Sequence, residues 1–293
     1  MFFFVRSTTK KYYPNYPISL MFLSIVYVRI TIRKSVNLEH YILVELCASS
    51  IMTSKIECVI KQAITTFSGS YTSKAFHDNL IKLKRYTNAL DARSIGLDFR
   101  LLRWDTFELN NNLDKLSGST FIRRHQAPVT YIGVFEDENV SIGVFVLRDG
   151  AKIPLHDHPY MYGVLKVIYG KVKVQSYTPV DKDYSQLNDS NISAIKLAPI
   201  IVGERDDSCV LCPVEGNIHE VDTIDGPAAF LDILAPPYKT DIPEVGKRCC
   251  RYFKEVNISE DIKLAIVSDP RDYWSDTAPY TGPQFGIHFE PKT

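Results

Sequence analysis

The sequence lacks any excess of charge of one sign, because 34 lysine and arginine residues balance 34 aspartate and glutamate residues. A chain without net charge has no overall field that would draw it to nucleic acid or to an anionic membrane surface. We therefore expect neither nucleic acid nor membrane among its partners.

Cysteine is also scarce. The six cysteines do not show the dense spacing of a disulfide framework, which favours a reducing, intracellular compartment. Cys209 and Cys212 form a C-x-x-C pair that would need a second pair to hold zinc, and the adjacent Cys249 and Cys250 make a poor one. We interpret these four as ordinary strand and loop residues.

No N-terminal apolar run is long enough to span a membrane. Residues 17–28 form an apolar run of about twelve residues, whereas a transmembrane helix needs roughly 20. Residues 1–51 are basic, with no acidic residue before Glu39 and no clean signal cleavage site. We expect a poorly ordered or spurious extension that ends before Met52, and a cytoplasmic protein. A transit peptide or a membrane anchor is the alternative for this segment.

The rest of the chain divides into a helical part and a β part. Apolar residues recur at helical spacing from Ile56 to Ile64, and residues 73–87 predict a second helix. From residue 128 onward, short β-branched and aromatic runs alternate with turn residues, which is typical of a small barrel or jelly roll. Residues 195–203 and 209–212 predict two of these strands, and the polar residues 180–190 predict a loop. We expect a helical cover over residues 52–125 and a barrel with an irregular C-terminal strap over residues 126–293.

The stretch PLHDHPYMYGVLKVIYGKVKVQSY, residues 154–177, carries the strongest functional motif. His156 and His158 are two residues apart, so in a strand their side chains point to one face and can reach one metal ion. Alternating apolar and polar residues then surround a turn at Gly170, which predicts a β-hairpin. His219, in the later string GNIHEVD, is the third candidate ligand.

The pattern G-x5-H-x-H with a later glycine resembles the first motif of the cupin barrels. The strings PLHDHP, GVLKVIYG, GNIHEVD and GPAAFLDILAPPY resemble the cupin thiol dioxygenases, which include 2-aminoethanethiol (cysteamine) dioxygenase and the plant cysteine oxidases. This resemblance runs from about Ile56 to the C-terminus. It implies a mainly β fold, the cupin double-stranded β-helix or jelly-roll barrel with a helical N-terminal cover. It also implies Fe(2+) bound by His156, His158 and His219.

One departure from the general cupin motif is informative. Tyr162 and Gly163 stand where that motif commonly places a glutamate ligand. Three neutral imidazoles leave the charge of a divalent ion uncompensated, which favours an anionic ligand such as a thiolate. Three histidines would also suit Zn(II), and the family resemblance is what favours iron.

The resemblance implies a reaction in which both atoms of O2 are added to a thiol. The substrate would be cysteamine, giving hypotaurine, or the N-terminal cysteine of a protein, giving a sulfinate. The second reaction would mark proteins for degradation and make the enzyme an O2 sensor. A zinc or manganese cupin enzyme, or a cupin that only binds a ligand, is the alternative.

Four further residues are candidates for the site. Asp232 lies in the apolar string AAFLDILAPP, where a buried carboxylate needs a partner. We interpret it as a pocket acid that orients a histidine, a water or the substrate amine, and a salt bridge to a barrel arginine is the alternative. The resemblance implies that Tyr238 lies near the oxygen or substrate site. It also implies that Cys250 and Tyr252 stand where a thioether crosslink forms in the family. The alternatives are a rim aromatic for Tyr238 and ordinary strand residues for the other two.

Substrate choice is predicted from charge. The motif strands contain Lys166, Lys171 and Lys173, which we expect to point to solvent, and no arginine that could neutralise the carboxylate of free cysteine. We therefore expect cysteamine or peptides with an N-terminal cysteine to be preferred. We also expect a monomer, because no exposed apolar stripe stands out.

Overall fold

The fold is described from a computed structural model, which covers residues 53–104, 126–181, 191–243, 245–258, 261–268, 270 and 272–286. The expected N-terminal extension lies outside these residues, as do residues 105–125 of the expected helical cover and most of the loop predicted at residues 180–190. None of the helices in the described ranges is long and apolar enough to cross a membrane.

Two α-helices precede the strands, and both predictions are confirmed. Helix α1 (Lys55–Phe67) is capped at its N-terminus by Ser54, and helix α2 (Lys74–Asn88) is capped by Ser73. Each serine hydroxyl accepts a hydrogen bond from a backbone N–H in the first turn, as N-cap residues do. A short 3-10 helix (Phe99–Leu102) follows. The apolar faces of α1 and α2 pack against the outer face of one sheet.

Fifteen β-strands lie within the described residues. Their bounds are β1 (Val129–Glu136), β2 (Ser141–Leu147), β3 (Lys152–Asp157), β4 (Tyr162–Tyr169), β5 (Lys171–Pro179), β6 (Asn191–Lys196), β7 (Ile200–Gly203), β8 (Cys209–Leu211), β9 (Ile218–Thr223), β10 (Ala228–Ala235), β11 (Asp241–Ile242), β12 (Gly246–Lys247), β13 (Tyr252–Ile258), β14 (Asp261–Val267) and β15 (Ser275–Thr277). The hairpin predicted around Gly170 is therefore β4–β5.

The two main sheets have the strand order of a jelly roll. One sheet runs β15-β1-β2-β10-β4-β8 and the other runs β6-β14-β13-β3-β9-β5-β7. From β2 to β10, successive strands belong to alternate sheets. The exceptions are β6 and β7, which lie in the same sheet as β5 and both pair with it. This is the double-stranded β-helix that the sequence predicted. The mainly β fold class with two helices on the N-terminal side is confirmed.

The alternation of side chains along β10 decides which residues face the space between the sheets. Phe230 packs in the apolar cluster that both sheets share, whereas Leu231 and Ile233 pack with the helices. Asp232 is two residues from Phe230 and therefore faces the barrel interior.

The second sheet closes on itself beside the site. Strand β6 pairs with β14 and also with β5, so β5, β9, β3, β13, β14 and β6 form a continuous ring. Apolar side chains, including Leu155, Ile218 and Phe253, cluster within this ring. The ring holds β3 and β9 side by side, and these are the segments that carry the histidine motifs.

Three expectations need correction, and one further hairpin was not predicted. The strand predicted over residues 195–203 is two strands, β6 and β7, because Pro199 between them has no N–H for a sheet ladder. The hairpin β13–β14 was not predicted, and the C-terminal strap, expected to be irregular, adds β15 in parallel to β1. Lys166 does not point to solvent. It is 1% exposed, and its Nζ donates to backbone carbonyls in the β7–β8 loop.

Candidate metal centre

The structure brings the three predicted histidines together. His156 on β3 lies directly opposite His219 on β9 in the strand register, and His158 follows the end of β3. Their ring centroids are 4.8, 4.9 and 4.8 Å apart, and their potential ligand atoms all lie within 4.8 Å of one another. Within the described residues this is the only cluster of three or more side chains that could hold a metal ion. The cysteine pairs therefore form no such cluster there.

Hydrogen bonds behind two of the rings fix their orientation. His156 Nδ1 donates to the carbonyl oxygen of Pro154, at 2.8 Å. The Tyr238 hydroxyl donates its proton to the carbonyl oxygen of Asp157, at 2.5 Å, so towards His158 Nδ1, 2.8 Å away, it acts as acceptor. Both rings then carry the proton on Nδ1 and keep the Nε2 lone pair for a metal.

The surroundings keep the three imidazoles neutral. Burial lowers the pKa of His156 to about 4 and holds the pKa values of His158 and His219 well below the usual range. His158 Nε2 lies 3.3 Å from His219 Nε2. Three neutral nitrogen donors close together in a buried site are suited to a divalent transition metal. The residues present therefore fit the metal that the sequence predicted.

Asp157, between the two histidines of the motif, has a role that the sequence analysis missed. Its fully buried carboxylate accepts hydrogen bonds from the backbone N–H of Arg251, at 2.7 Å, and from Arg251 Nε, at 2.9 Å. Burial raises the pKa of Asp157, and the Arg251 guanidinium opposes that shift. The ion pair joins β3 to the start of β13. Strand alternation was the available signal, since it turns Asp157 away from the histidine face and towards a required partner.

Two other buried residues fix the turn after β3 and were also missed. Asn217 Nδ2 donates to the carbonyl oxygen of His158, at 2.7 Å, and its Oδ1 accepts from the His158 N–H, at 3.3 Å. Arg248 donates to the carbonyl oxygen of Pro159. These contacts involve backbone groups of the turn, so no spacing in the sequence pointed to them.

Asp232 faces the barrel interior beside Gly143 and Leu165, its register partners on the neighbouring strands. Burial raises the pKa of Asp232 to about 7, although the side chain keeps partial exposure. No cation of the described residues lies within salt-bridge distance of it. The alternative, a salt bridge to a barrel arginine, is therefore not formed among the described residues, and Arg251 pairs with Asp157.

The remaining predicted residues lie around the histidines. Tyr238 contacts His158, and the Cys250 thiol is within hydrogen-bond reach of the Tyr238 hydroxyl. Burial, followed by the neighbouring Cys250, raises the pKa of Tyr238 well above its usual value, so the hydroxyl keeps its proton. Tyr252 lies opposite His156 in the register, with ring centroids 6.4 Å apart. The thioether between Cys250 and Tyr252 stays a prediction.

A groove with a volume of about 310 Å³ reaches the centre at His219. Its apolar lining includes Leu165, Leu197 and Leu211, and its polar lining includes Ser176 and Cys212. None of its lining residues is a lysine or an arginine. The groove offers a route by which a thiol could approach the histidines.

This fold and this cluster together define a cupin protein with a three-histidine candidate metal centre. A family model described as PCO_ADO matches residues 97–285, so the chain belongs to that family. The 2-aminoethanethiol dioxygenase of Mus musculus is 32% identical over 267 residues, which cover 80% of this chain and 97% of the relative. The Homo sapiens 2-aminoethanethiol dioxygenase is 29% identical over 283 residues, with the same two coverages. These findings confirm the expected enzyme class, a thiol dioxygenase.

More distant comparisons cover less of the chain. Plant cysteine oxidase 2 of Arabidopsis thaliana is 30% identical over 141 residues, which cover 48% of this chain and 50% of that protein. A cupin superfamily protein of Desulfitobacterium hafniense is 15% identical in structural alignment, with a TM-score of 0.27, over 37% of this chain and 78% of that chain. The assignment of the fold here rests on the strand order described above.

Proposed function

We propose that the protein is a non-haem iron dioxygenase that adds both atoms of O2 to the thiol of cysteamine or of an N-terminal cysteine. The observation that carries this proposal is the cluster of three neutral imidazoles, which no carboxylate joins among the described residues. At the positions of the general motif's glutamate, Tyr162 packs against the aromatic rings of Phe67 and Phe76, and Gly163 packs against Leu211.

His156, His158 and His219 would hold the iron. When bound there, iron would supply open positions for a thiol and for O2, and it would favour the thiolate form near neutral pH. The protein's own contribution is positioning. Pro154 and Tyr238 orient two of the imidazoles through Nδ1.

The Asp157–Arg251 ion pair keeps the strand that carries His156 next to β13. Leu165 and Leu211 line the route to the histidines with apolar surface, which restricts the access of water. The family resemblance and the apolar position of Asp232 support a role for its carboxylate in binding the substrate ammonium.

The charges support an aminothiol without a nearby carboxylate as substrate. The groove has no basic lining residue, and the arginine closest in sequence to Tyr252 is engaged by Asp157. Free cysteine would therefore bring an uncompensated carboxylate into the site. One misplaced charge costs roughly 1.4 kcal/mol or more, which corresponds to a rate about tenfold lower.

The test is oxygen uptake by the iron-loaded protein with cysteamine, an N-terminal cysteine peptide and free cysteine in parallel, with 18O2 and mass spectrometry of the products. We expect sulfinates that carry two labelled oxygen atoms, and a rate at least about tenfold lower with free cysteine. His219→Ala is the inactive control. Incorporation of a single labelled atom would contradict the proposed reaction, and equal rates on all three substrates would contradict the proposed role of Asp232.

A further inference from the structure

The groove at His219 lies between two sheet edges. Strand β7 ends one sheet and has β5 as its only strand partner within the described residues, while β8 ends the other sheet and has only β4 there. Leu197, Ala198 and Ile200 line one side of the groove, and residues 209–212 line the other. An edge strand presents backbone N–H and C=O groups that can pair with an added extended chain.

Among the described residues, a side chain satisfies the free edge of β7 only at Gly203, the last residue of the strand. The Gly203 N–H donates to the Asp206 carboxylate, at 2.8 Å, so it points away from β5. Ile201 is two residues earlier, and strand alternation turns its backbone groups to the same free side. Within the described part of the chain, the segment of β7 beside the groove is therefore open to an added chain.

Exposed apolar side chains lie on both sides of this groove, whose lining also includes the acidic residue Glu215. Ile200 and Val210 both line it and are 47% and 39% exposed, and Val214, just beyond β8, is 56% exposed. No charged residue interrupts β7, although natural edge strands commonly carry charges that prevent pairing. Apolar residues exposed together beside a binding site are typical of contact with a partner.

An aminothiol of four non-hydrogen atoms would fill only a small part of a groove of about 310 Å³. The remaining volume extends from His219 to the exposed edges, which are the features that an extended polypeptide can use.

We propose that the groove between β7 and β8 binds the substrate polypeptide downstream of its N-terminal cysteine, in extended form. Apolar side chains at positions 2–4 would pack on Ile200 and Val210. This inference rests on the proposed function and specifies its substrate class. The protein would act on polypeptide N termini with apolar residues after the cysteine, in preference to polar ones.

The test compares two six-residue peptides with an N-terminal cysteine, in which positions 2–4 are all valine or all serine. The expected kcat/KM of the iron-loaded protein is roughly fivefold to tenfold higher for the valine peptide, since apolar burial supplies the difference. Ile200→Asn should reduce this preference to less than about twofold, because the neutral asparagine removes the apolar contact without adding charge. Ile81→Asn is the matched control: Ile81 is 61% exposed on α2, away from the groove, and the preference should stay unchanged.

A second measurement covers the case in which Ile200→Asn does not fold. Peptides with N-terminal serine in place of cysteine are then used as inhibitors of cysteamine oxidation by the unaltered protein, and the valine peptide should bind more tightly. Equal kcat/KM for the two cysteine peptides, a preference that Ile200→Asn leaves intact, or equal inhibition by the two serine peptides would overturn the inference. Failure of the proposed function would be distinguished by an absence of oxidation of cysteamine and of both peptides.

Discussion

At the scale of single residues, the orientations of His156 and His158 depend on the groups behind their rings. Tyr238 is the clearest case, because one hydroxyl donates to the Asp157 carbonyl and accepts from His158 Nδ1. Groups that fix the tautomer and orientation of a metal-binding imidazole commonly contribute 10-fold to 100-fold to metal affinity. The hydroxyl of Tyr238 would therefore act through His158 on a metal bound there.

Replacement of Tyr238 by phenylalanine should weaken iron binding about 10-fold to 100-fold, because His158 loses the acceptor that orients it. Competition with a chelator measures this affinity. Tyr273→Phe is the control, since its ring packs on Tyr252 instead of on a histidine, and its iron affinity should match that of the unaltered protein. An unchanged affinity in Tyr238→Phe would show that the hydroxyl has no positioning role.

Asp232 should make the stability of the metal-free protein depend on pH. Its pKa is raised by burial to about 7, whereas an unfolded aspartate has a pKa of about 3.9. Between these values the folded state binds the extra proton, so the free energy of unfolding falls as the pH rises from about 4 to about 7. The asparagine in Asp232→Asn does not titrate, so the variant does not lose unfolding free energy in this way as the pH rises. The variant should therefore gain stability relative to the unaltered protein across that range, and the gain should level off above about pH 7.

Urea denaturation of the metal-free Asp232→Asn variant and of the unaltered protein, at several pH values from 5 to 8, measures the difference in their unfolding free energies. A difference in unfolding free energy that stays constant with pH would show that Asp232 is not the group that titrates.

The histidines could be predicted from the sequence because two of them lie within one short motif and strand alternation is local. The contacts of Asp157 could not, because its partner Arg251 comes from a strand that the chain reaches only 94 residues later. The burial of Lys166 could not be predicted for the same reason. Its burial depends on carbonyl groups of the β7–β8 loop, which lies 38 and 40 residues further along the chain.

At the scale of secondary-structure elements, the β7–β8 loop is fixed from both sides. Lys166 Nζ donates to the carbonyl oxygens of Glu204 and Asp206, at 2.7 and 2.6 Å. From the helical side, Asn88 at the end of α2 accepts a hydrogen bond from the Ser208 N–H, at 2.8 Å. The loop leads directly into β8, so these contacts set the position of one side of the groove.

Lys166→Met should lower the free energy of unfolding by about 1–3 kcal/mol, because the two loop carbonyl groups lose their charged donor. Urea denaturation measures the change. Lys173→Met on the neighbouring strand is the matched control, since its ammonium group is partly exposed, and its change should stay within about 0.5 kcal/mol. Equal stability of the two variants would contradict the structural role of Lys166.

Turn residues and prolines in the sequence indicate where strands end. The turn at Gly170 predicted the β4–β5 hairpin correctly. Pro199 carries the same kind of signal for the break between β6 and β7, although the prediction was one continuous strand. The hairpin β13–β14 carried the weakest signal because it lies outside the recognised motifs, and pairing with β3 and β6 positions it.

At the scale of the whole molecule, the jelly-roll topology creates the site. Strand β3 carries His156 and the chain returns on β9 with His219, and antiparallel pairing places the two residues opposite each other. The motif strings indicated this fold class through family resemblance. They could not show the closed ring of the second sheet or the groove between the sheet edges, since both depend on strands that are distant in sequence.

The central claim is that iron at the three histidines makes the protein a thiol dioxygenase. The most direct measurement removes all metal, reloads the protein with Fe(2+), Zn(2+) or Mn(2+), and records bound metal and oxygen uptake with cysteamine and an N-terminal cysteine peptide. We predict about one iron per chain, activity with iron alone, and loss of both in His156→Ala, His158→Ala and His219→Ala, because a three-ligand site cannot spare a donor. Full iron content and turnover in any of the three variants, or turnover with zinc or without metal, would contradict the claim.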